Sequence, residues 1–241
     1  MEQWNKRGFA AIAMDVINSE KIGIMGVSYG GITATTVVGT DDRFTFGVSV
    51  YGCGYLDEGS SNFGKTHIKE DNIHWDAANF SVKAKMPVLF ISGNNDVHFT
   101  TLSLSNTAAV TPNSYLSLYP NFAHSQDHAE GLAQVYSFAE SVVGGKAPFV
   151  KISDTRFEDP ALTVEFEAPA NVAVVKATAY YITESAFPYI TQENQVGWKT
   201  AEGSVSGNTA TITMPTEATH AYVSLTDADG NVISSKFQKI R

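Results

Sequence analysis

The chain has 241 residues, 43% of them apolar and 17% charged, enough to bury a core and unlike a disordered segment. A net charge of −9 argues against nucleic acid or an anionic membrane surface as a partner. The one cysteine, Cys53, excludes an intrachain disulfide and a multi-cysteine metal site, and no apolar run reaches the roughly 20 residues that a bilayer crossing needs.

In chain order, the polar start MEQWNKR lacks the apolar segment of a signal peptide, so the chain as given is expected to be soluble, either cytoplasmic or secreted after processing. Residues 9–14 (FAAIAM) read as a buried strand, 21–26 (KIGIMG) as a second, and 29–39 as a helix of small residues. Strands follow at 46–51 (FGVSVY), 88–92 (VLFIS) and 115–118. Helices are expected over 100–110 and 128–143, the latter with Leu132, Val135, Phe138 and Ala139 on one face. Short apolar strands alternating with helices predict an α/β fold, a mostly parallel sheet with flanking helices. Residues 52–83 break this rhythm and read as a lid or substrate loop, or as a solvated surface excursion.

Gly144-Gly145-Lys146-Ala147-Pro148 reads as a linker. Beyond it the apolar period becomes two, at 162–166, 172–182, 209–214, 221–225 and 232–237, with Asp229-Gly230 as a hairpin turn. This predicts a small all-β sandwich of immunoglobulin or fibronectin type. The expected division is an α/β domain over 1–147 and a sandwich over 148–241. Tyr180, Tyr181, Phe187, Tyr189 and Trp198 fit either its core or a sugar-stacking face.

The chemistry starts at Gly26-Val27-Ser28-Tyr29-Gly30, a G-x-S-x-G pattern between an apolar strand and a helix. This is the setting of a nucleophile elbow, in which a strained turn lifts a serine hydroxyl above the end of a sheet. Crowding in such a turn favours glycine on both sides of the serine, and Gly31 would let the helix pack close to its strand. A serine hydroxyl needs a base, and the base needs an orienting carboxylate, in the chain order Ser, acid, His. Asp96 lies just past the strand at 88–92, and His124 just past the strand at 115–118. Three parallel strands would then bring Ser28, Asp96 and His124 to one edge of the sheet.

Other readings of these residues are plainer. Asp96 could cap the following helix, and His124 could be an ordinary loop histidine. His128 competes for the role of base, and with Asp127 it could form a local ion pair or metal site, although two ligands are too few to assign a metal. Cys53 reads as a small apolar filler, and His67 and His74 have no evident carboxylate partner.

The segments GIMGVSYGG, SVYGCGYL, WDAANF, MPVLFISGNND and YPNFAHS resemble the α/β-hydrolase superfamily. The nearest likeness is to serine esterases of the acetyl xylan esterase and dienelactone-hydrolase type, including relatives with a β-sandwich tail. It spans residue 9 to about residue 143. It implies Ser28 as nucleophile, Asp96 as acid, His124 as base, and the backbone N–H of Tyr29 as an oxyanion donor. It also makes Tyr55, Trp75, Phe99 and Phe122 candidates to line the substrate pocket, with core packing as their alternative role. No metal or cofactor is implied. The S-Y-G-G form also resembles prolyl-oligopeptidase-like serine peptidases, which normally carry a β-propeller before the catalytic part.

The chain departs from the family pattern at its start. Only one apolar strand precedes the elbow strand, and the link between them is about six residues, whereas a parallel crossover needs about a dozen or more. A truncated α/β-hydrolase domain lacking the usual N-terminal strands is therefore expected. Its sheet would have an exposed edge near the start that a second copy could cover. The second oxyanion donor must come from elsewhere. The expected function is hydrolysis of short-chain esters, acetyl esters included, of small molecules or carbohydrates through a Ser-His-Asp triad. The alternatives are a serine peptidase and a catalytically impaired fold that serves binding.

Overall fold

The computed structural model describes residues 18, 20–57, 74–146 and 148–241. The strand expected over 9–14, the sheet edge expected near it, and His67 within the 52–83 stretch lie outside the described residues.

The first sheet is parallel, with strands in chain order: β1 (Gly23–Val27), β2 (Phe46–Val50), β3 (Val88–Gly93) and β4 (Ser114–Tyr119). β3 is buried along its whole length, which is why VLFIS reads as a continuous apolar run rather than an alternating one. Helix α1 (Tyr29–Val37) follows β1, the short α2 (Ala78–Ser81) precedes β3, and α3 (Thr101–Val110) joins β3 to β4. Parallel order brings the C-terminal ends of all four strands to one edge. No helix among the described residues is long and apolar enough to cross a membrane.

The helix expected over 128–143 is two helices, α4 (Gln126–Gly131) and α5 (Ala133–Val143). Ser125 caps the first by accepting from the His128 N–H, so it starts earlier than expected. Gly131 weakens its end, and Leu132 leaves helical geometry at φ −76°, ψ 110°. The break aims Gln134 at the second half of the chain.

That half holds two antiparallel sheets. One has the order β5 (Lys151–Glu158), β6 (Ala161–Glu167), β10 (Thr209–Thr213), β9 (Ser204–Ser206). The other has the order β12 (Val232–Ser234), β11 (His220–Asp227), β7 (Val174–Ile182), β8 (Lys199–Glu202), with β13 (Gln238–Lys239) also on β11. They face each other across a core that includes Leu162, Val164, Ala179, Ile212 and Val223. The turn at Asp229-Gly230 joins β11 to β12, with Gly230 at φ 83° and the Asp227 carboxylate accepting from Asp229 and Asn231 N–H groups. The strand expected over 232–237 stops at Ser234.

The two halves share one further core. Phe138 and Phe149 belong to the same buried cluster as Ile182, Ile190, Tyr222, Ile233 and Phe237. β12 covers the free edge of β4, but side chains make the bonds. Ser117 Oγ donates to the Val232 carbonyl (2.5 Å), and Leu118 N–H donates to Ser234 Oγ (3.0 Å). Gln134 acts as a surrogate strand: Nε2 donates to the Val232 carbonyl (2.8 Å), and Oε1 accepts from the Val232 N–H (2.9 Å).

Candidate active site

β1 ends at Val27, and the chain reverses at Ser28 into α1. Ser28 has φ 57° and ψ −118°, a backbone state that a residue with a side chain holds only when its surroundings impose it. Its N–H donates to the Val50 carbonyl (2.9 Å), and its own carbonyl accepts from Ile32 (3.1 Å). A Cβ on Gly26 would lie 1.8 Å from the Gly30 carbonyl oxygen, so this turn admits only glycine there. A Cβ on Gly31 would lie 2.9 Å from the Gly52 Cα and from the Val50 oxygen, which is the close helix–strand approach expected from the sequence. Gly30 differs from expectation. Its missing Cβ would meet open space, so packing does not require the second glycine of the motif.

Ser28 Oγ lies 3.0 Å from Nε2 of His124, and His124 Nδ1 lies 2.8 Å from Oδ2 of Asp96. An ionised carboxylate only accepts, so Nδ1 carries the proton and Nε2 is left to accept from the Ser28 hydroxyl. Asp96 is 4% exposed, yet its charge is well bonded. Oδ1 accepts from the N–H groups of His98 (2.8 Å) and Phe99 (3.0 Å), and Oδ2 also accepts from Ser92 Oγ (3.2 Å). Thr100, not Asp96, caps α3 through the Ser103 N–H.

Aromatic rings hold the imidazole. Tyr51 stacks on His124 at 4.5 Å and Phe99 at 5.9 Å, and Phe122 stacks in turn on Tyr51 at 5.2 Å. Tyr51 Oη donates to the carbonyl of Ala123, the residue before the histidine (2.6 Å). Burial, with the Asp96 charge adding to it, pushes the Tyr51 hydroxyl far above its ordinary pKa, so it remains a neutral donor. Sequence reasoning placed Tyr51 only as the end of a strand. Its pairing with the loop after β4 depends on strand order, which one strand's pattern does not reveal.

The other candidate residues lie as follows. Phe99 is fully buried behind the imidazole, and Phe122 is half-buried in the loop after β4. Tyr55 and Trp75 flank Asp76, whose Oδ1 accepts from the Tyr55 N–H (3.0 Å). Neither makes a ring contact with His124 among the described residues, and Trp75 is 75% exposed. Tyr29 opens α1, which puts its N–H at the helix N-terminus beside Ser28. His128 Nδ1 lies 2.9 Å from Ser125 Oγ, at the start of α4, so His124 rather than His128 bridges Ser28 and Asp96. Cys53 is buried. No group of three or more His, Cys, Asp or Glu residues among the described residues is placed to hold a metal ion.

The turn carrying Asp96 is also tied to the second half of the chain, which the sequence did not reveal. Asn94 donates through Nδ2 to Tyr222 Oη (3.1 Å), and its carbonyl accepts from Trp198 Nε1 (2.8 Å). Tyr180 stacks on Tyr222 at 5.0 Å, and Trp198 packs against Phe187 and Phe237. These aromatics are packed together rather than displayed as an open face.

Residues 9–146 match the family model described as the prolyl oligopeptidase family, and they cover more than half of the chain. The chain belongs to the prolyl oligopeptidase family. Within the α/β-hydrolase superfamily, the match falls on the likeness that the sequence suggested second. The solved structures similar to this family member include an acylaminoacyl peptidase from Pyrococcus horikoshii, with 17% identity and a TM-score of 0.53 over 61% of this chain and 28% of that one. An acylaminoacyl peptidase in complex with Z-Gly-Gly-Phe-chloromethyl ketone gives 18%, 0.53, 61% and 28% in the same order. Acetyl xylan esterase 1 from a Thermoanaerobacterium species gives 16%, 0.47, 57% and 50%. At these identities the two peptidase likenesses show the α/β-hydrolase fold, and this chain spans 28% of the length of the first. A comparison with curated protein sequences finds no match.

Proposed function

We propose that this family member is a serine hydrolase in which Ser28 is the nucleophile, His124 the base and Asp96 the orienting acid. The observation that carries the reading is the bonded chain Ser28–His124–Asp96 resting on a strained strand-to-helix turn. As Ser28 Oγ attacks a carbonyl carbon, Nε2 of His124 takes the hydroxyl proton, and Asp96 stabilises the imidazolium through Nδ1–H. The carbonyl oxygen becomes an oxyanion, for which the Tyr29 N–H and the N-terminus of α1 are the nearby donors. Nε2–H then protonates the leaving group, whose bond to carbon breaks, leaving an acyl-serine. Water, deprotonated by the same nitrogen, releases the acid and restores Ser28.

The substrate reading is a short-chain ester, acetyl esters included. The cavity beside His124 has the amides of Asn95, Gln192 and Gln195 on its wall and no charged side chain besides the bonded Asp96, which supports an uncharged substrate. The second reading, cleavage of an acylated peptide, is favoured by the family match and by the acylaminoacyl peptidase likeness. The catalytic part is read as residues 1–147 and the remainder, 148–241, as an immunoglobulin-like or fibronectin-like domain. Two antiparallel sheets around one core support the latter.

Hydrolysis of p-nitrophenyl acetate should fall by at least about 10⁴-fold in Ser28→Ala with folding intact. Full activity in that variant would sink the assignment. An acetyl-aminoacyl anilide assayed beside the ester separates the two substrate readings. The ester reading expects a higher kcat/KM on the ester.

A further inference from the structure

The turn that carries Asp96 is fixed at its ends by the first half of the chain. Asp96 N–H donates to the Gly93 carbonyl (3.1 Å), which closes a β-turn with Asn94 and Asn95 at its two central positions. Asn94 N–H donates to the carbonyl of Tyr119, at the end of β4 (2.9 Å). A Cβ on Gly93 would lie 2.3 Å from the Phe122 carbonyl oxygen, so the turn rests directly on the loop that carries His124. The centre of the turn is held from the second half. Trp198, directly before β8, donates through Nε1 to the Asn94 carbonyl (2.8 Å). Tyr222, on β11, accepts from Asn94 Nδ2 (3.1 Å), and its ring meets the Trp198 ring edge-on at 5.3 Å. Asn94 and Tyr222 are both buried.

A β-turn has two common forms that share their ends. They differ by a flip of the central peptide, which reverses the carbonyl of the second residue. Here that carbonyl belongs to Asn94. The flipped form needs the third residue at φ of about +80°, which glycine takes freely and asparagine more readily than most residues with a side chain. Asn95 is that third residue, and it does not hold a positive φ. The turn therefore sits in one of two forms open to its sequence. The Trp198 N–H meets the Asn94 carbonyl where it now points, and a flip would break that bond. Asp96 is the next residue, and its Oδ2 lies 2.8 Å from His124 Nδ1. A shift of about 1 Å in such a group costs up to about 10²-fold in rate.

We propose that Trp198 is a positioning residue for the reaction: its indole N–H holds the central peptide of the acid turn in the orientation that aligns Asp96 with His124. Tyr222 seats the same turn by accepting from Asn94 and packing against the indole. The second half of the chain is thereby a working part of the active site. The proposal rests on the assignment of Ser28, His124 and Asp96 above, and it holds for an ester or an acylated peptide as substrate.

Two readouts follow the Asp96–His124 bond and not the packing of the second half. One is the downfield proton NMR resonance of His124 Nδ1–H, assigned by its loss in His124→Ala. The other is kcat against KM on p-nitrophenyl acetate. Trp198→Phe keeps an aromatic ring and removes the N–H. The folded variant should shift or broaden the resonance and lower kcat by about 10-fold or more, with KM within about twofold. If Trp198→Phe does not fold, Asn95 decides the matter. Asn95→Gly frees the flip and Asn95→Ala opposes it, and both remove the same amide. The glycine variant should have a kcat about 2- to 5-fold below that of the alanine variant. A folded Trp198→Phe with unchanged resonance and kcat, or equal rates in the two Asn95 variants, overturns the proposal and leaves Ser28-dependent hydrolysis standing. If the unaltered protein shows no Ser28-dependent hydrolysis, the triad assignment fails and this role of Trp198 fails with it.

Discussion

Ser28 holds a backbone state that costs on the order of 1–3 kcal/mol, and the surrounding contacts must supply it. Gly26 and Gly31 do so by letting backbone meet backbone, one beneath the turn and one between α1 and the end of β2. Gly31→Ala should therefore destabilise the protein by about 1–3 kcal/mol, read as a lower denaturation midpoint, because its Cβ would press on Gly52, Ser49 and Val50. Gly30→Ala should leave stability the same or raise it by up to about 1 kcal/mol, since its Cβ enters open space at the start of a helix. Equal losses from both would show that crowding at the elbow is not what the contacts indicate. Sequence alone grouped these glycines as one motif, and only the contacts separate the required from the permitted.

At the scale of elements, the seam between β4 and β12 is the unusual join. Two strands that share no backbone ladder are bridged by Ser117, Ser234 and Gln134, and Gln134 also meets Tyr119 Oη and Ser117 Oγ. Gln134 is buried, so Gln134→Ala takes the partner from the Val232 N–H and leaves the Val232 carbonyl with Ser117 Oγ alone. The expected cost is about 1–3 kcal/mol, measured by chemical denaturation. A change under about 0.5 kcal/mol would mean that water or a neighbour replaces the amide. The parallel sheet was legible because its strands are short, apolar and separated by helices. β5 was not, because its face is mostly exposed and reads as KISDTRFE without an apolar stripe. β8 and β9 are three or four residues long, too short for a period to register.

At the scale of the whole molecule, the reactive edge is built by both halves of the chain. The order Ser, Asp, His, after β1, β3 and β4, could be read from the sequence, because parallel strands in chain order bring their C-terminal ends together. The support given to the Asp96 turn by Trp198 and Tyr222 could not, since those residues lie more than 100 positions away and their aromatic character fits a core equally well. The central claim is that this assembly activates Ser28. Its most direct test is labelling with a fluorophosphonate, followed by intact mass and peptide mapping on the unaltered protein and on His124→Ala, with folding checked by circular dichroism. One adduct on Ser28, formed at least about 10³-fold more slowly in His124→Ala, is the expected result. An adduct on another residue, equal labelling in both proteins, or no adduct on the folded chain at millimolar reagent would contradict it.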